Sequence, residues 1–203
     1  MSAKIKPWPF DAVDKLENDI ATFFGAPYAV AVDCCTHGLE LCLRYTKPSS
    51  VTIPTRTYIS VPFLAKKLSL PWEWDEERWT DYHYLGNTKI ADAAVLWKRN
   101  SYVPETFMCL SFQFQKHLSL GRGGMILTDS KTAKDDLKKL SYDGRKPDVP
   151  WREQNIKTIG YHYYMTPETA KLGLEKLPEA IEKEPRRWEW EDWPDLRDME
   201  VFK

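Results

Sequence analysis

The sequence predicts an α/β protein with a mostly parallel sheet sandwiched by helices. Short apolar runs rich in β-branched residues recur along the 203-residue chain, and segments with helical character separate them. Strands that alternate with helices favour parallel pairing, because each crossover between parallel strands needs a long connection. We find no internal repeat and no low-complexity linker, and therefore expect one domain, 1–182, followed by an extension, 183–203.

The N-terminal part predicts strand and helix units. Apolar residues at helical spacing follow Asp11, and Gly25 ends that pattern. In a later helical segment, Pro62 restricts any helix to starting at about that residue. The predicted elements, in order, are a helix over 11–24, a strand over 28–32, a helix opened by the polar residues 33–36, a strand over 51–54 and a helical segment over 60–68.

The C-terminal part continues the alternation with shorter elements. Thr166 and Pro167 are a favourable helix start, and Pro178 is expected to interrupt the helix that follows. The predicted elements are short strands over 89–91, 107–112 and 125–127, a charged helix over 131–140 and a helix over 168–177.

Composition excludes several classes of partner. The chain carries 29 basic and 30 acidic side chains, interspersed, so no basic field indicates a nucleic-acid partner. Its apolar stretches are shorter than the roughly 18 to 20 residues of a membrane span, and no signal-peptide core precedes them. Cys34, Cys35, Cys42 and Cys109 follow no metal-ligand spacing and are expected to be reduced. We therefore expect a soluble, cytoplasmic protein.

Tryptophan is abundant, and it is concentrated locally. Five of the nine tryptophans lie in two acidic, aromatic patches, 71–74 and 188–193. Such patches indicate either partly buried packing or a docking surface for a second subunit. The sequence leaves both interpretations open.

Lys116 lies between a strand-like run and a glycine cluster, and several separated stretches share a pattern with it. These stretches are FGAPYAVAVDCCTHGL at 24–39, IPTRTY at 53–58, ADAA at 91–94, SFQFQKHLSLGRGG at 111–124 and IGYHYYMT at 159–166. In them the chain resembles the DegT/DnrJ/EryC1/StrS family of sugar aminotransferases, pyridoxal-phosphate (PLP) enzymes of the aspartate-aminotransferase-like fold. The resemblance covers residues 8 to 182, in a chain about half the family's usual length that lacks most of the small domain.

The resemblance implies catalytic roles for three residues. Lys116 would form the Schiff base with PLP and shuttle a proton, because an amine on a flexible stem suits both tasks. Asp92 would pair with the pyridine nitrogen, and Tyr58 would stack on the cofactor ring. Each residue also has a structural alternative. Lys116 could be a solvated loop lysine, Asp92 a helix or turn cap, and Tyr58 part of the core packing.

The resemblance also implies a phosphate site. Backbone N–H groups of Cys35 and Thr36, and the Thr36 hydroxyl, lie where a strand turns into a helix and would bind the phosphate. Ser111 would add a second hydroxyl, and His162 would reach the phosphate site of a neighbouring subunit. An ordinary helix cap at Thr36 and a strand-end serine at Ser111 are the alternatives.

Five positions depart from the family pattern. Cys35 replaces a glycine, which adds a side chain where the backbone should approach the phosphate. Val95 stands where the family has a residue that hydrogen-bonds the cofactor's phenolic oxygen. Arg122 replaces a glutamate, His162 an asparagine and Tyr164 an arginine.

The resemblance implies an aminotransferase that acts on a nucleotide-linked keto-sugar and uses an amino donor such as glutamate. Family members that became dehydratases replace the lysine with histidine, so Lys116 favours transamination. The family builds each site from two subunits, which implies a homodimer. The rivals are a degenerate protein that binds PLP or a sugar nucleotide without turnover, and a regulatory partner of a larger relative that docks through the tryptophan-rich extension.

Overall fold

A five-stranded sheet carries the fold. The computed structural model describes residues 8–203, so the first seven residues of the predicted domain 1–182 lie outside it. The strand order in the main sheet is β1-β7-β6-β5-β4, and β2 and β3 form a separate parallel pair. The strands are β1 (Tyr28–Val32), β2 (Val51–Pro54), β3 (Trp72–Asp75), β4 (His83–Tyr84), β5 (Ile90–Asp92), β6 (Phe107–Ser111) and β7 (Gly124–Thr128).

Helices cover both faces of this sheet, as predicted. The helices are α1 (Asp11–Phe24), α2 (Cys35–Thr46), α3 (Ser60–Lys67), α4 (Lys131–Ser141) and α5 (Pro167–Glu182). Along β1, Ala29 and Ala31 pack on one side with α1 and α5, while Val30 and Val32 pack on the other with α2, α3 and α4. This alternation follows from the two-residue period of a strand and gives the protein two cores.

The α/β class is confirmed, but the pairing is mixed rather than mostly parallel. In the described part of the main sheet, β5 and β6 pair in parallel, whereas β7 is antiparallel to β1 and β6, and β4 is antiparallel to β5. The connection from β6 to β7 contains no crossover helix, so the chain returns in the opposite direction. Backbone bonds from Phe112 to Gly123 and from Leu120 to Phe112 hold this returning loop.

The expected start of α3 was wrong by one half-turn. The helix begins at Ser60, so that Pro62 is its third residue. A proline in the first turn is tolerated, because the N–H groups there have no partner within the helix.

The expected interruption at Pro178 was also wrong, because α5 continues through this residue to Glu182. Tertiary contacts hold the last turn in place. Ala180 is buried, and its carbonyl accepts hydrogen bonds from Trp97 Nε1 at 3.0 Å and from His117 Nε2 at 2.8 Å. These contacts compensate for the backbone hydrogen bond that a proline cannot donate.

The first aromatic patch forms β3, a strand that the sequence did not predict. The rings of Trp72 and Trp74 meet edge to face with centres 4.5 Å apart. Phe202, near the C-terminus, packs against both rings at 6.2 and 5.3 Å. Within this chain the patch is therefore a packing surface.

The extension, 183–203, folds back onto its own chain. The Leu196 N–H donates to the Thr55 carbonyl at 2.8 Å, and the Leu196 side chain is buried. Lys66 Nζ donates to the Val201 carbonyl at 2.9 Å. Short 3-10 helices form over Trp190–Asp192, Leu196–Asp198 and Glu200–Phe202. Among the helices of residues 8–203, none has the length and apolar character to cross a bilayer.

Candidate active site

Three predicted site residues belong to elements that begin or end at one edge of the sheet. Asp92 ends β5, Lys116 lies in the loop after β6, and Cys35 begins α2. Because β5 and β6 are parallel neighbours, their carboxyl ends open at the same edge, with Asp92 opposite Cys109. The Cys35 thiol donates to the Cys109 carbonyl at 3.3 Å, and its Sγ lies 3.9 Å from Asp92 Oδ1.

Asp92 is a buried carboxylate with one well-bonded oxygen. Asp92 is only 7% exposed, and its Oδ1 accepts a hydrogen bond from the Ala94 N–H at 3.0 Å. Oδ2 faces His83 Nε2 at 3.8 Å, which is too long for a hydrogen bond. Among residues 8–203 no hydrogen bond to Oδ2 is recorded, so this oxygen is available to a bound group.

His83 is a buried neighbour of Asp92 that sequence analysis missed. It is the register partner of Asp92 across β4 and β5, and its Nε2 lies 2.8 Å from Thr57 Oγ1. Burial lowers the pKa of His83 and outweighs the opposing effect of the Asp92 charge, so the imidazole is neutral at neutral pH. The two-residue β4 offers no periodicity from which this contact could have been predicted.

Lys116 carries an amine that is partly withdrawn from water. Burial lowers its pKa, although the Asp92 carboxylate acts in the opposite direction. A lower pKa increases the neutral, nucleophilic fraction of an amine. The Nζ lies 4.6 Å from the ring centre of Trp188 and 5.4 Å from that of Trp193, both in the extension.

Hydroxyl groups collect near the start of α2. Thr36 Oγ1 lies 2.8 Å from Ser60 Oγ, which brings together the first turns of α2 and α3. Ser111 pairs with Gly124, and a Cβ added to Gly124 would lie 2.6 Å from backbone atoms of 34–35. This close approach places the end of β6 against the helix N-terminus, where N–H groups and the helix dipole favour an anion. Ser60 was missed, although a serine before Pro62 at a helix start is a usable signal.

Tyr58 and His162 lie at the periphery. Tyr58 is 54% exposed, and its ring meets that of Trp193 edge to face at 6.5 Å. His162 is exposed, and its Nδ1 lies 3.1 Å from Asp143 Oδ2. The structure therefore places His162 apart from the Lys116 cluster, and its role toward a second subunit stays a prediction.

A charged cluster flanks the start of α2. His37 Nδ1 lies 2.6 Å from Asp33 Oδ1, and Arg122 donates to Asp33 Oδ2 at 2.8 Å. Burial alone would lower the His37 pKa, but the Asp33 carboxylate outweighs it and raises the pKa to about 9. Cys34 Sγ lies within 4.8 Å of the same Asp33 and His37 atoms, so three metal-ligand atoms meet here. His37 and Arg122 both pair with the Asp33 carboxylate and neutralise its charge. Arg122, which departs from the family pattern, therefore serves as an ion-pair partner of Asp33.

Comparison with protein families identifies the chain. The sequence profile of the DegT/DnrJ/EryC1/StrS aminotransferase family matches residues 9–69 and 103–192. The chain belongs to this family. The unmatched segment between the two ranges contains Asp92, so the assignment of this residue depends on its place in the structure.

Known proteins agree with this family in sequence and in fold. The spore coat polysaccharide biosynthesis protein SpsC of Bacillus subtilis is 25% identical over 230 aligned residues, which cover 87% of this chain and 59% of SpsC. AtS13 of Actinomadura melliaura has the same fold with a TM-score of 0.74 at 18% identity, covering 85% of this chain and 61% of AtS13. Spr1654 of Streptococcus pneumoniae, described as a sugar aminotransferase, matches in its PLP form with a TM-score of 0.70 at 17% identity, covering 84% and 60%. The chain thus spans about three fifths of the relatives it matches.

The residues at this edge fit PLP. A buried carboxylate with one oxygen available suits a protonated pyridine nitrogen, and an amine of lowered pKa suits an aldehyde. The hydroxyls at the start of α2 suit a phosphate. Cys35 is compatible with this fit, because burial raises its pKa well above the usual value and its neutral thiol is bonded to the sheet.

Proposed function

We propose that this chain is a PLP-dependent aminotransferase that moves an amino group from an amino acid, such as glutamate, to a nucleotide-linked keto-sugar. The observation that carries the proposal is that the buried Asp92 carboxylate ends β5 beside the parallel strand β6, whose following loop carries Lys116, and lies near enough for its charge to oppose the lowering of that amine's pKa by burial. A relative named for polysaccharide biosynthesis supports a sugar substrate.

In this proposal each residue has one task. PLP, when bound, supplies an aldehyde that bonds amines and a ring that takes up electrons. Lys116 is the covalent anchor and holds or moves a proton at Nζ. Asp92 orients the ring and keeps the pyridine nitrogen protonated, and Tyr58 covers one face of the ring.

The start of α2 would bind the phosphate. The N–H groups of Cys35 and Thr36 lie at a helix N-terminus, and the Thr36 and Ser111 hydroxyls add donors. Ser60 joins this set through its contact with Thr36. All of these groups belong to the domain 1–182, to which 183–203 is an added cover.

We also propose a homodimer in the cytoplasm. Three of the nine exposed large apolar side chains of residues 8–203 lie in one short segment, with Trp151 at 61%, Ile156 at 44% and Ile159 at 81% exposure. Such side chains favour a protein interface, and the neighbouring His162 would then reach the second subunit's phosphate site. Light scattering should give twice the mass of the chain, and a stable monomer that binds PLP would contradict a shared site. The four cysteines are free thiols, which favours a reducing compartment.

Chemical labelling tests the anchor. Borohydride reduction of the protein with bound PLP should attach a pyridoxyl group to the peptide that contains Lys116. Lys116→Ala should lose the label and all transamination, whereas Lys131→Ala, at an exposed lysine of α4, should keep both. Labelling elsewhere with Lys116 unmodified would refute the assignment.

A second candidate function is PLP or sugar-nucleotide binding without turnover. It is favoured by the indole rings over Lys116. Adding glutamate to the PLP-loaded protein separates the two functions. An aminotransferase changes the cofactor's absorbance and releases a keto acid, whereas a binding protein does neither.

A further inference from the structure

The extension covers the Lys116 amine with two indole rings. Trp188 and Trp193 both lie within 5.4 Å of Nζ, and their rings stack with centres 5.7 Å apart and 18° between planes. Trp193 also contacts Tyr58, the predicted stacking residue, at 6.5 Å. One indole is therefore adjacent to both groups that the proposed function assigns to the cofactor.

The extension is attached unequally along its length. Its last part is well anchored, because Leu196 is buried and Phe202 packs against Phe63 at 5.6 Å and Trp74 at 5.3 Å. In the preceding part, the indole N–H groups of Trp190 and Trp193 are buried without a hydrogen-bond partner among residues 8–203. A buried donor without a partner is destabilising, so this part gains from opening to water.

Internal contacts make 186–193 a unit, and residues of the domain, among them Arg56 and Arg78, hold it. Arg186 pairs with Asp192 at 3.3 Å, and the Glu189 N–H donates to the same carboxylate at 3.0 Å. Arg56 Nη1 donates to the Trp193 carbonyl at 2.6 Å, while its guanidinium lies 4.7 Å from the Trp190 ring. Arg56 Nε is itself buried and unpaired in the described chain, so this latch is incompletely satisfied.

We propose that Trp188 and Trp193 form a movable gate over Lys116 and determine which carbonyl compounds reach its amine. The gate opens by movement of 186–193 about the anchored Leu196. A flat aromatic aldehyde restores the ring stacking that the indoles lose on opening, whereas a small aliphatic aldehyde does not. The identity of the natural substrate rests on the proposed function, but the gate's action on the amine does not.

Reductive labelling with propionaldehyde and cyanoborohydride tests the gate without PLP. Peptide mass spectrometry should show slower labelling of Lys116 than of the exposed Lys131 in the wild-type chain, despite the lowered pKa of Lys116. Trp188→Ala and Trp193→Ala should each speed Lys116 labelling about tenfold, as expected when a gate closed in roughly nine molecules of ten is removed. Trp151→Ala, the same change at an exposed indole outside the extension, should leave the rate unchanged.

Arg56→Lys provides a second route that keeps both indoles. It removes the planar contact with Trp190 and should accelerate Lys116 labelling by a smaller factor. Unchanged Lys116 rates in folded gate variants would overturn the proposal, as would wild-type labelling of Lys116 as fast as that of Lys131. Because PLP is absent, failure of the chain to bind PLP would contradict the proposed function and leave this result standing.

Discussion

The two sides of the Lys116 amine are built differently. On the sheet side, Asp92 and Cys35 are buried and fixed by a strand end and a helix start. On the extension side, Trp188 and Trp193 are partly exposed, and the Trp193 N–H has no hydrogen-bond partner within residues 8–203. The sheet side supplies the charge that the proposed chemistry needs, and the extension supplies an apolar cover. Both parts affect the pKa of this amine, because burial and the Arg186 charge of the extension lower it while the Asp92 charge opposes them. Only the sheet side supplies groups for the proposed chemistry, and the extension limits access.

The largest effect is expected on the sheet side. Asp92→Asn should retain the fold and some PLP binding, because the amide keeps the carboxylate's shape, but it removes the charge paired with the pyridine nitrogen. We expect the half-reaction with an amino donor to slow by about a thousandfold or more, measured by stopped-flow absorbance.

Asp135→Asn is the matched control, since this carboxylate pairs with Lys131 on the surface of α4. It should leave the half-reaction unchanged. A wild-type rate in Asp92→Asn would show that Asp92 only caps the chain after β5, through its bond to the Ala94 N–H.

The next largest effect is expected where Gly124 of β7 packs closely against the start of α2, beside the proposed phosphate site. Gly124→Ala would bring a Cβ within 2.6 Å of backbone atoms of 34–35, so strand β7 or the start of α2 must move. We expect the free energy of unfolding to fall by about 1–3 kcal/mol in a urea titration, with weaker binding of inorganic phosphate.

Gly121→Ala separates steric crowding from backbone strain. Gly121 has φ of 78° but open space around the added Cβ. Alanine there should cost about 1 kcal/mol through conformation alone and leave phosphate binding unchanged. Equal losses in both variants would show that the contact at Gly124 relaxes without consequence.

The sequence predicted the sheet side far better than the extension side. Helix α1 and strand β1 have the predicted bounds, because amphipathic spacing and a β-branched run are local signals. Strand β7 was predicted but its antiparallel direction was not, since a strand's direction depends on its connection rather than on its own residues. His83 and the fold-back of 183–203 depend on contacts between distant segments, which no local period encodes.

Charge on the sheet side can be examined through pH. The His37 pKa is raised to about 9 in the folded chain, against 6.5 for the free group. The charged His37 stabilises the folded state because its pKa is higher there than in the unfolded chain. This stabilisation is fully present below pH 6.5 and is lost as pH rises through about 9. His37 is partly exposed, so we expect a loss of roughly 1 kcal/mol after solvent screening.

His37→Asn should flatten this pH dependence of the unfolding free energy. Urea titrations at pH 6 and pH 10 test this, because the two values lie on either side of the folded-state His37 pKa of about 9. His162→Asn is the control, because its pair with Asp143 is exposed and screened. An unaltered slope in His37→Asn would show that the Asp33 pair contributes nothing measurable to folding.

The smallest effect on global stability is expected at the extension's anchor. Phe202 packs against Phe63, Trp72 and Trp74, which belong to α3 and β3 rather than to the main sheet. Phe202→Ala should therefore lower the free energy of unfolding by less than about 1 kcal/mol, since the side chain is only partly buried. Amide hydrogen exchange should nevertheless quicken across 186–202, because the extension opens on its own when its anchor weakens. Exchange in β6 and β7 should stay at the wild-type rate. If the sheet lost protection together with the extension, the two sides of the Lys116 amine would unfold as one cooperative unit, and the separation of chemistry from access would not hold.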